Sequence, residues 1–402
     1  MITENVKSTP INKNFNLLLS SILLLSVGNK IYEIVLPLLI YELTHSSVSM
    51  TTMRTAELLP NFFFAILIGV IVDRVNQGRW ALWMVGSQAV LLILFAYLFK
   101  ANVTNLLFYS IIGFFLMSFN YGFFNVQVSL TKQNVPASKL TQANAKISFI
   151  ETFVSIMGPA ISGIVFLISD MSNGLIMTAV MYMVCLAFLF QLPNREPSTA
   201  RVRSSFVNDL KEGWIGFTSN RVLFGMTIFV MFINCSFIVV QTCIVFYGKD
   251  VLQLSSPMLA LTLSMAGLGG LVGSTLVSWL RESCGLGKVY AMSILVHAIA
   301  CGLITIHTSL TTYTISLTLI GFAVSLHGVA VYTLRHEQTP SHLIGRIAGI
   351  TGTIFRIGMP IAMYVSGWII EAEGTEVIFI GAAVWNSFFL LLFIRSRLWK
   401  HN

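Results

Sequence analysis

Twelve apolar stretches, each long enough to cross a bilayer, make up most of this 402-residue chain. An α-helix rises about 1.5 Å per residue, so roughly 20 apolar residues span the hydrocarbon core. The stretches are continuously apolar instead of alternating, which favours helices over barrel strands. The chain is therefore predicted to be an all-α membrane protein with twelve transmembrane helices. Their predicted ranges are 15–41, 50–72, 80–99, 104–130, 142–168, 173–192, 222–247, 257–280, 289–307, 311–334, 345–370 and 376–394.

The loops between these spans are sorted by charge. Of the 24 Lys and Arg residues, only Lys100 and Lys249 fall in the alternate loops, and Lys30, Arg54 and Arg356 lie inside spans. The others lie in the termini, in every second loop or, for Lys146 and Arg346, at the start of the span that follows such a loop, and loops rich in Lys and Arg are cytoplasmic. We therefore expect a multi-pass protein of the cell (inner or cytoplasmic) membrane with both termini in the cytoplasm. The net charge of +8 then faces anionic membrane lipid, and nucleic acid is not an expected partner.

The sequence offers no pattern for catalysis or for a cofactor. The cysteines lack metal-site spacing, so neither a zinc site nor a disulfide is expected. No catalytic triad stands out, and no phosphate-binding glycine loop precedes Lys-Ser or Lys-Thr, so an ATP-driven mechanism has no support. We expect a protein that is not an enzyme and has no cofactor. Four cysteines fall in spans and one in a cytoplasmic loop: Cys185, Cys235, Cys243, Cys301 and, in the loop, Cys284.

A long polar segment over 193–221 divides the chain into six spans and six spans. Residues 206–214 within it can form an amphipathic helix along the membrane surface or a plain linker helix. A faint repeat relates the halves, because Pro136 and Pro340 have the same separation as Gly69 and Gly273. This layout predicts an N-terminal six-helix bundle over 1–192, a cytoplasmic central loop over 193–221 and a C-terminal six-helix bundle over 222–402.

The loop after the second span contains a motif, Gly69-Val-Ile-Val-Asp73-Arg74-Val-Asn-Gln-Gly78-Arg79. A glycine lets neighbouring helices approach closely, and a carboxylate can face the positive end of another helix. The motif resembles the signature loop of the major facilitator superfamily. The resemblance implies the major facilitator fold, with Gly69, Asp73, Arg74, Gly78 and Arg79 forming a latch that joins the two halves on the cytoplasmic side.

A second motif lies in the fifth span, where Gly158-Pro159-Ala-Ile-Ser-Gly163 resembles the antiporter motif of the same superfamily. Residues before this motif and Gly345-Arg346 at the start of the eleventh span resemble the drug:proton antiporter branch that includes macrolide-efflux, siderophore-export and bacilysin-export proteins. The residues before the motif are Pro136, Leu140, Ala143 and Asn144. The resemblance implies export driven by the proton gradient, by a protein that works as a monomer, as most relatives do. Alternatively, Gly158 and Pro159 form a kink needed only for packing.

Several ionisable residues lie inside predicted spans, where each costs roughly 2.5–3.5 kcal/mol on insertion scales. Lys30 and Glu33, and likewise Arg54 and Glu57, are three residues apart on one helix face, which favours ion pairing. Arg54 and Glu57 are interpreted as a gate or a structural pair. Glu151 and Arg356 occupy nearly equivalent places in the two halves. The alternative for the whole set is a group of purely structural ion pairs.

By the same resemblance, the first, fourth, seventh and tenth spans line the transport path. Glu33 lies in the middle of the first span, where its carboxyl can exchange a proton or contact a substrate. Arg356 is a candidate anion contact or latch, and His327 is either a site residue or a packed, hydrogen-bonded histidine. The candidate substrate- or proton-binding residues are Asn29, Lys30, Glu33, Glu151, Arg356, His327, Asn120, Tyr121, Asn125, Asn234 and Gln241.

These features predict a secondary transporter that binds a small molecule between two bundles and exposes it alternately to the two sides. A path holding both charge signs favours a small amphiphilic or zwitterionic metabolite, such as a siderophore, metallophore or peptide-like compound, exchanged for protons. Macrolide or multidrug efflux and a lysophospholipid flippase are the alternatives. The sequence does not exclude a uniporter or an importer.

Overall fold

The computed structural model describes residues 13–64, 75–136, 139–168, 171–193, 206–340 and 343–400. Within these ranges the chain is helical, with short turns and no strand. The first six helices are α1 Lys13–Thr44, α2 Ser47–Phe63, α3 Gln77–Lys100, α4 Leu106–Asn134, α5 Leu140–Ile168 and α6 Met171–Phe190. The others are α7 Phe206–Ser219, α8 Arg221–Asp250, α9 Ser256–Cys284, α10 Leu286–Ile306, α11 Leu310–Glu337, α12 Ile344–Ile354, α13 Met359–Glu373 and α14 Thr375–Arg395, followed by a 3-10 turn over Arg397–Lys400.

Ten of the predicted spans coincide with helices that are long and apolar enough to cross a membrane, α12 and α13 together counting as one crossing. The remaining two predicted spans fall on α2 and α5. The described part of α2 ends at Phe63, and residues 65–72 of its predicted span lie outside the described residues. Part of the side chains of α5 also lies outside them. The all-helical class and the multi-pass character of the chain are confirmed.

We refer to α1–α6 as the first group and to α7–α14 as the second group, by their order along the chain. In the first group, α1 packs on α5 and α6, α2 and α3 pack on α4, and α3 packs on α6. In the second group, α9 and α10 pack on α11, and α14 packs on α8 and α10. Contacts between the groups run through α2 with α13, α5 with α9, and α1 with α8. The contacts of α5 with α9 and of α2 with α13 are as extensive as many contacts within one group.

The central segment contains a helix, α7, which covers the stretch for which a helix is predicted. It packs against the start of α12, because Gly216 leaves room for the Leu343 side chain. The Glu212 carboxylate also forms an ion pair with the Arg346 guanidinium. The segment after residue 206 is thus attached to the second group of helices.

The predicted span over 345–370 is a single crossing built from two helices. Pro360 has no N–H to donate to the Arg356 carbonyl, and the N–H of Met359 bonds to that carbonyl instead, at 3.1 Å. The Phe355 carbonyl then lacks its usual helical donor. The Asn234 side-chain amide of α8 donates to it at 3.1 Å. Irregular backbone at membrane depth persists only where such partners satisfy it.

Helices α9 and α11 pack backbone against backbone. A Cβ atom built at Gly321 would lie 1.8 Å from the Ala266 carbonyl oxygen, and one at Gly269 would lie 1.9 Å from that of Thr318. Backbone atoms cannot rotate away, unlike the end of a flexible side chain. Both positions therefore require glycine, and these small residues set the distance between the two helices.

This packing predicts that Gly321→Ala lowers the stability of the protein by about 1–3 kcal/mol, because the added methyl group forces α9 and α11 apart. Thermal unfolding of the detergent-solubilised chain measures the effect. The matched control is Gly302→Ala in α10, where an added Cβ meets nothing within 4 Å. The control should unfold at or above the parent temperature, since alanine favours helix. Equal unfolding temperatures for the two variants would contradict the close approach.

Candidate functional site

Four charged side chains on α1 and α2 form one continuous network. The Lys30 Nζ atom lies 2.7 Å from a Glu33 carboxylate oxygen. The other oxygen of Glu33 lies 2.6 Å from Arg54 Nη2, and Arg54 Nη1 lies 2.8 Å from Glu57. The two predicted pairs, Lys30 with Glu33 and Arg54 with Glu57, therefore form. Arg54 also joins them across the two helices, a contact that the spacing within each helix does not predict.

Exposure is graded along this network. The side chains of Arg54 and Glu57 are 5% and 0% exposed, whereas those of Lys30 and Glu33 are 27% and 19% exposed. The two positive and two negative charges sum to zero, and this pairing offsets the free-energy cost of burying them. The Tyr32 hydroxyl donates to Glu57 and satisfies its second oxygen. The network thus has a buried, structural end and an accessible end at Lys30 and Glu33.

Two glycines let neighbouring helices approach the network. A Cβ at Gly113 of α4 would lie 3.2 Å from Glu57 Cγ, and one at Gly158 of α5 would lie 2.9 Å from Lys30 Cδ. The stem of Lys30 therefore runs across the first glycine of the motif predicted in the fifth span. The accessible end of the network is therefore in direct contact with α5 at this glycine. Of Pro159 and Gly163, only the helical backbone is described.

Next to Lys30, uncharged polar groups connect three helices of the first group. The Asn29 side-chain amide donates to Asn120 Oδ1 of α4 at 2.9 Å. The Tyr182 hydroxyl of α6 donates to Asn29 Oδ1 at 2.5 Å. Asn29 and Asn120 were both predicted as site residues, and the structure brings them together. Tyr182 was missed because its contact with Asn29 joins residues far apart in the chain.

A comparable arrangement lies in the second group. His327 Nε2 of α11 lies 3.2 Å from Asn234 Oδ1 of α8, while the Asn234 amide donates to the Phe355 carbonyl. The Phe237 ring stacks on His297 with 3.9 Å between centroids and lies 4.8 Å from His327. His327 is therefore buried and hydrogen-bonded, which agrees with its interpretation as a packed histidine. Its second ring nitrogen, Nδ1, has no hydrogen-bond partner among the described residues.

The other predicted site residues are spread over the first and second groups. Glu151 is half-buried and accepts a hydrogen bond from Gln127 at 3.0 Å. The Asn125 side-chain amide donates to the Tyr121 carbonyl, so this hydrogen bond lies within α4. Arg356 is exposed at the break between α12 and α13. Gln241 is exposed, although its neighbours on both sides in α8 are buried.

The predicted latch is described only in part. Gly69, Asp73 and Arg74 lie outside the described residues. Gly78 and Arg79 lie in the first turn of α3, where the Asn76 side chain accepts a hydrogen bond from the Arg79 N–H at 3.0 Å. The role of these five residues as a latch stays a prediction.

Side-chain hydrogen bonds between the two groups gather near the α1–α2 turn in the described parts of the chain. The Tyr41 hydroxyl donates to Asp250 at 2.5 Å. Ser47 donates to Glu371 at 2.8 Å, and Thr55 bonds to the Pro360 carbonyl at 3.5 Å. The charge pattern predicts that this end faces outward. The groups are thus tied together at their predicted outer end.

A protein-family model described as Major Facilitator Superfamily matches residues 18–361 and 249–400. An uncharacterized MFS-type transporter of Sinorhizobium fredii is 24% identical over 261 residues. That alignment takes in 64% of this chain and 63% of the relative, so the chain spans less than two thirds of that relative's length.

Solved structures share the fold along the whole chain. The nucleoside transporter NupG has a TM-score of 0.77 at 13% identity and covers 97% of this chain and 100% of its own. A bacterial homologue of the iron transporter ferroportin, in an inward-facing state, has a TM-score of 0.74 at 13% identity and covers 96% of this chain and 100% of its own. At such low identity the likeness shows the fold alone.

The network predicts that Arg54→Gln destabilises the protein by about 3–5 kcal/mol, because two carboxylates lose their shared cation in a buried place. Adding Glu57→Gln removes the fully buried carboxylate and should recover part of the loss. Thermal unfolding in detergent compares the parent, the single variant and the double variant. A single variant as stable as the parent, or a double variant no better than the single one, would contradict this account.

Proposed function

The chain belongs to the Major Facilitator Superfamily, and we propose that it is a proton-coupled exporter of a small zwitterionic or amphiphilic metabolite. The family and the fold are those of transporters, which supports transport itself. The substrate, the coupling to protons and the direction of transport are the proposed part. The observation that carries the proposal is the accessible end of the charge network, where Glu33 is held between Lys30 and Arg54.

In this proposal, residues 1–192 and 222–402 form two six-helix bundles that rock about their shared contacts. In this proposal the hydrogen bonds at Tyr41, Ser47 and Thr55 close the outer end, as an inward-facing state requires. Opening outward requires these bonds to break while the predicted latch at the cytoplasmic end forms.

Protons and substrate compete for the same carboxylate. A proton on Glu33 removes the negative charge with which the amine of a zwitterionic substrate would pair, so the protonated carboxyl does not bind that amine. A zwitterionic substrate can replace both halves of the Lys30–Glu33 pair, its carboxylate on Lys30 and its amine on Glu33. Because Arg54 stays paired with Glu57, the buried end remains neutral during this exchange. After the substrate leaves at the outer side, Glu33 takes up a proton there, and loss of that proton to the cytoplasmic side restores the Lys30–Glu33 pair.

Siderophores, metallophores and peptide-like metabolites carry such mixed charges. The uncharged groups around the path, Asn29 with Asn120 and Asn234 with His327, suit amide or hydroxyl groups of the same molecule. Macrolide or multidrug efflux is the second candidate, which the resemblance of the sequence to drug antiporters favours. Nucleosides and metal ions, which structural neighbours transport, belong in the same screen.

We predict that Glu33→Gln abolishes proton-coupled exchange, because a neutral amide cannot alternate between Lys30 and a proton. Proteoliposomes with an acidic interior, a pH-sensitive dye inside and the cytoplasmic face outward measure proton release. Siderophores, peptide-like metabolites, macrolides, lysolipids, nucleosides and metal ions are added one at a time. Glu151→Gln is the control, a matched change on α5. Exchange lost in the control and retained in Glu33→Gln would move the proton site to Glu151.

We also predict that Tyr41→Phe combined with Ser47→Ala shifts the protein toward outward-open. Each lost bond contributes about 0.5–1.5 kcal/mol, so the ratio of states changes by roughly 2- to 12-fold per bond. Spin labels at Thr104 and Thr308, which are exposed in turns of the two groups, report the separation of the predicted outer ends. Thr44→Val is the control, since its hydroxyl bonds to Ile40 of its own helix. An unchanged distance distribution in the double variant would contradict the gate.

A further inference from the structure

A groove of about 740 Å³ lies on the surface of the first group, between α3 and α6. Its walls are apolar except at Arg79 and Ser87. Trp83 and Phe190, one on each helix, are 73% and 71% exposed. Both helices are candidate membrane spans, so this exposed apolar surface faces lipid and not water. The groove lies away from the charge network on α1 and α2.

The groove follows one stripe of α3. Arg79, Trp83, Gly86, Val90 and Ile93 recur about one turn apart and all line it. From Arg79 to Ile93 the stripe runs for about 21 Å at the helical rise. One leaflet of the hydrocarbon core is about 15 Å deep. The groove is therefore long enough to hold an acyl chain from the membrane interface to the bilayer centre.

The polar end of the groove is Arg79. Its side chain is exposed in the first turn of α3, and within the described residues no carboxylate pairs with its guanidinium. The charge pattern of the loops predicts that this end lies at the cytoplasmic interface, where anionic lipids are concentrated. A guanidinium binds phosphate through two parallel hydrogen bonds.

We propose that this groove is a binding site for one anionic phospholipid, with the headgroup phosphate on Arg79 and an acyl chain along α3 and α6. Arg79, the one cation among the described residues that line the groove, lies above a long apolar trough and matches a molecule with one anionic head and an apolar tail. The middle of the trough is open at Gly86, because a Cβ built there meets only the Leu186 methyl groups, at 3.9 Å and 4.0 Å. The site shares Arg79 with the predicted latch, but lipid binding to the groove is measured without transport.

The test uses the full chain in nanodiscs and the fluorescence of Trp83, taken as the difference between the parent and Trp83→Phe. Phospholipids brominated on the acyl chain quench a tryptophan that they contact. Brominated phosphatidylglycerol should occupy the groove about five-fold more readily than brominated phosphatidylcholine, the factor that one arginine near an anionic headgroup supplies. Arg79→Gln should abolish the preference, and Arg79→Lys should keep part of it.

Two further variants separate the head from the tail. Gly86→Leu fills the trough while leaving Arg79 intact, and it should lower quenching by both lipids. Gly381→Leu on α14, where an added Cβ meets nothing within 4 Å, is its control and should behave like the parent. Lys132→Gln, at an exposed position near the end of α4, controls for a general loss of positive charge and should keep the preference.

Circular dichroism and thermal unfolding establish that each variant is folded before its quenching is compared. Equal quenching by the two lipids in the parent would overturn the site for an anionic headgroup. A preference for phosphatidylglycerol that survives Arg79→Gln would overturn the role of Arg79. Unchanged quenching in Gly86→Leu would overturn the placement of the acyl chain in the trough.

Discussion

The packing of α1 against α2 depends on the two ion pairs that Arg54 forms. Its guanidinium bridges Glu33 of α1 and Glu57 of α2, so one cation fixes the relative position of two helices and neutralises two carboxylates. Water cannot compensate these charges at the depth of Glu57, where the side chain is fully buried. Because Arg54 holds Glu33 from one side, Lys30 and any proton or substrate compete for it from the other. A structural ion pair and a candidate transport site are thus two ends of one network.

Buried polar groups in the second group of helices also need hydrogen-bond partners. Here the group concerned is a backbone carbonyl. The break between α12 and α13 frees the Phe355 carbonyl, and Asn234 satisfies it while also meeting His327. The break is therefore held by two other helices, α8 and α11. At α9 and α11, glycines bring backbones together instead.

The surface predicted to face lipid contains a groove. The groove on α3 and α6 ends at Arg79, which also belongs to the motif of the predicted cytoplasmic latch. A lipid phosphate on Arg79 would occupy a residue of that latch without touching the charge network. The described hydrogen bonds between the groups lie at the opposite, predicted outer end. Lipid binding, outer closure and the charged site therefore involve different residues and can be separated experimentally.

The sequence by itself determined the helical membrane class, the approximate ranges of the spans and the pairs Lys30–Glu33 and Arg54–Glu57. Continuous apolar runs and i, i+3 spacing are local properties, and local properties can be read from the order of residues. Only the tertiary structure decided that Arg54 joins the two pairs, that Tyr182 reaches Asn29 and that Asn234 supports a broken helix. These contacts connect residues far apart in the chain, and their geometry depends on how closely glycines such as Gly158 allow helices to approach. Spacing along one helix contains no information about that distance.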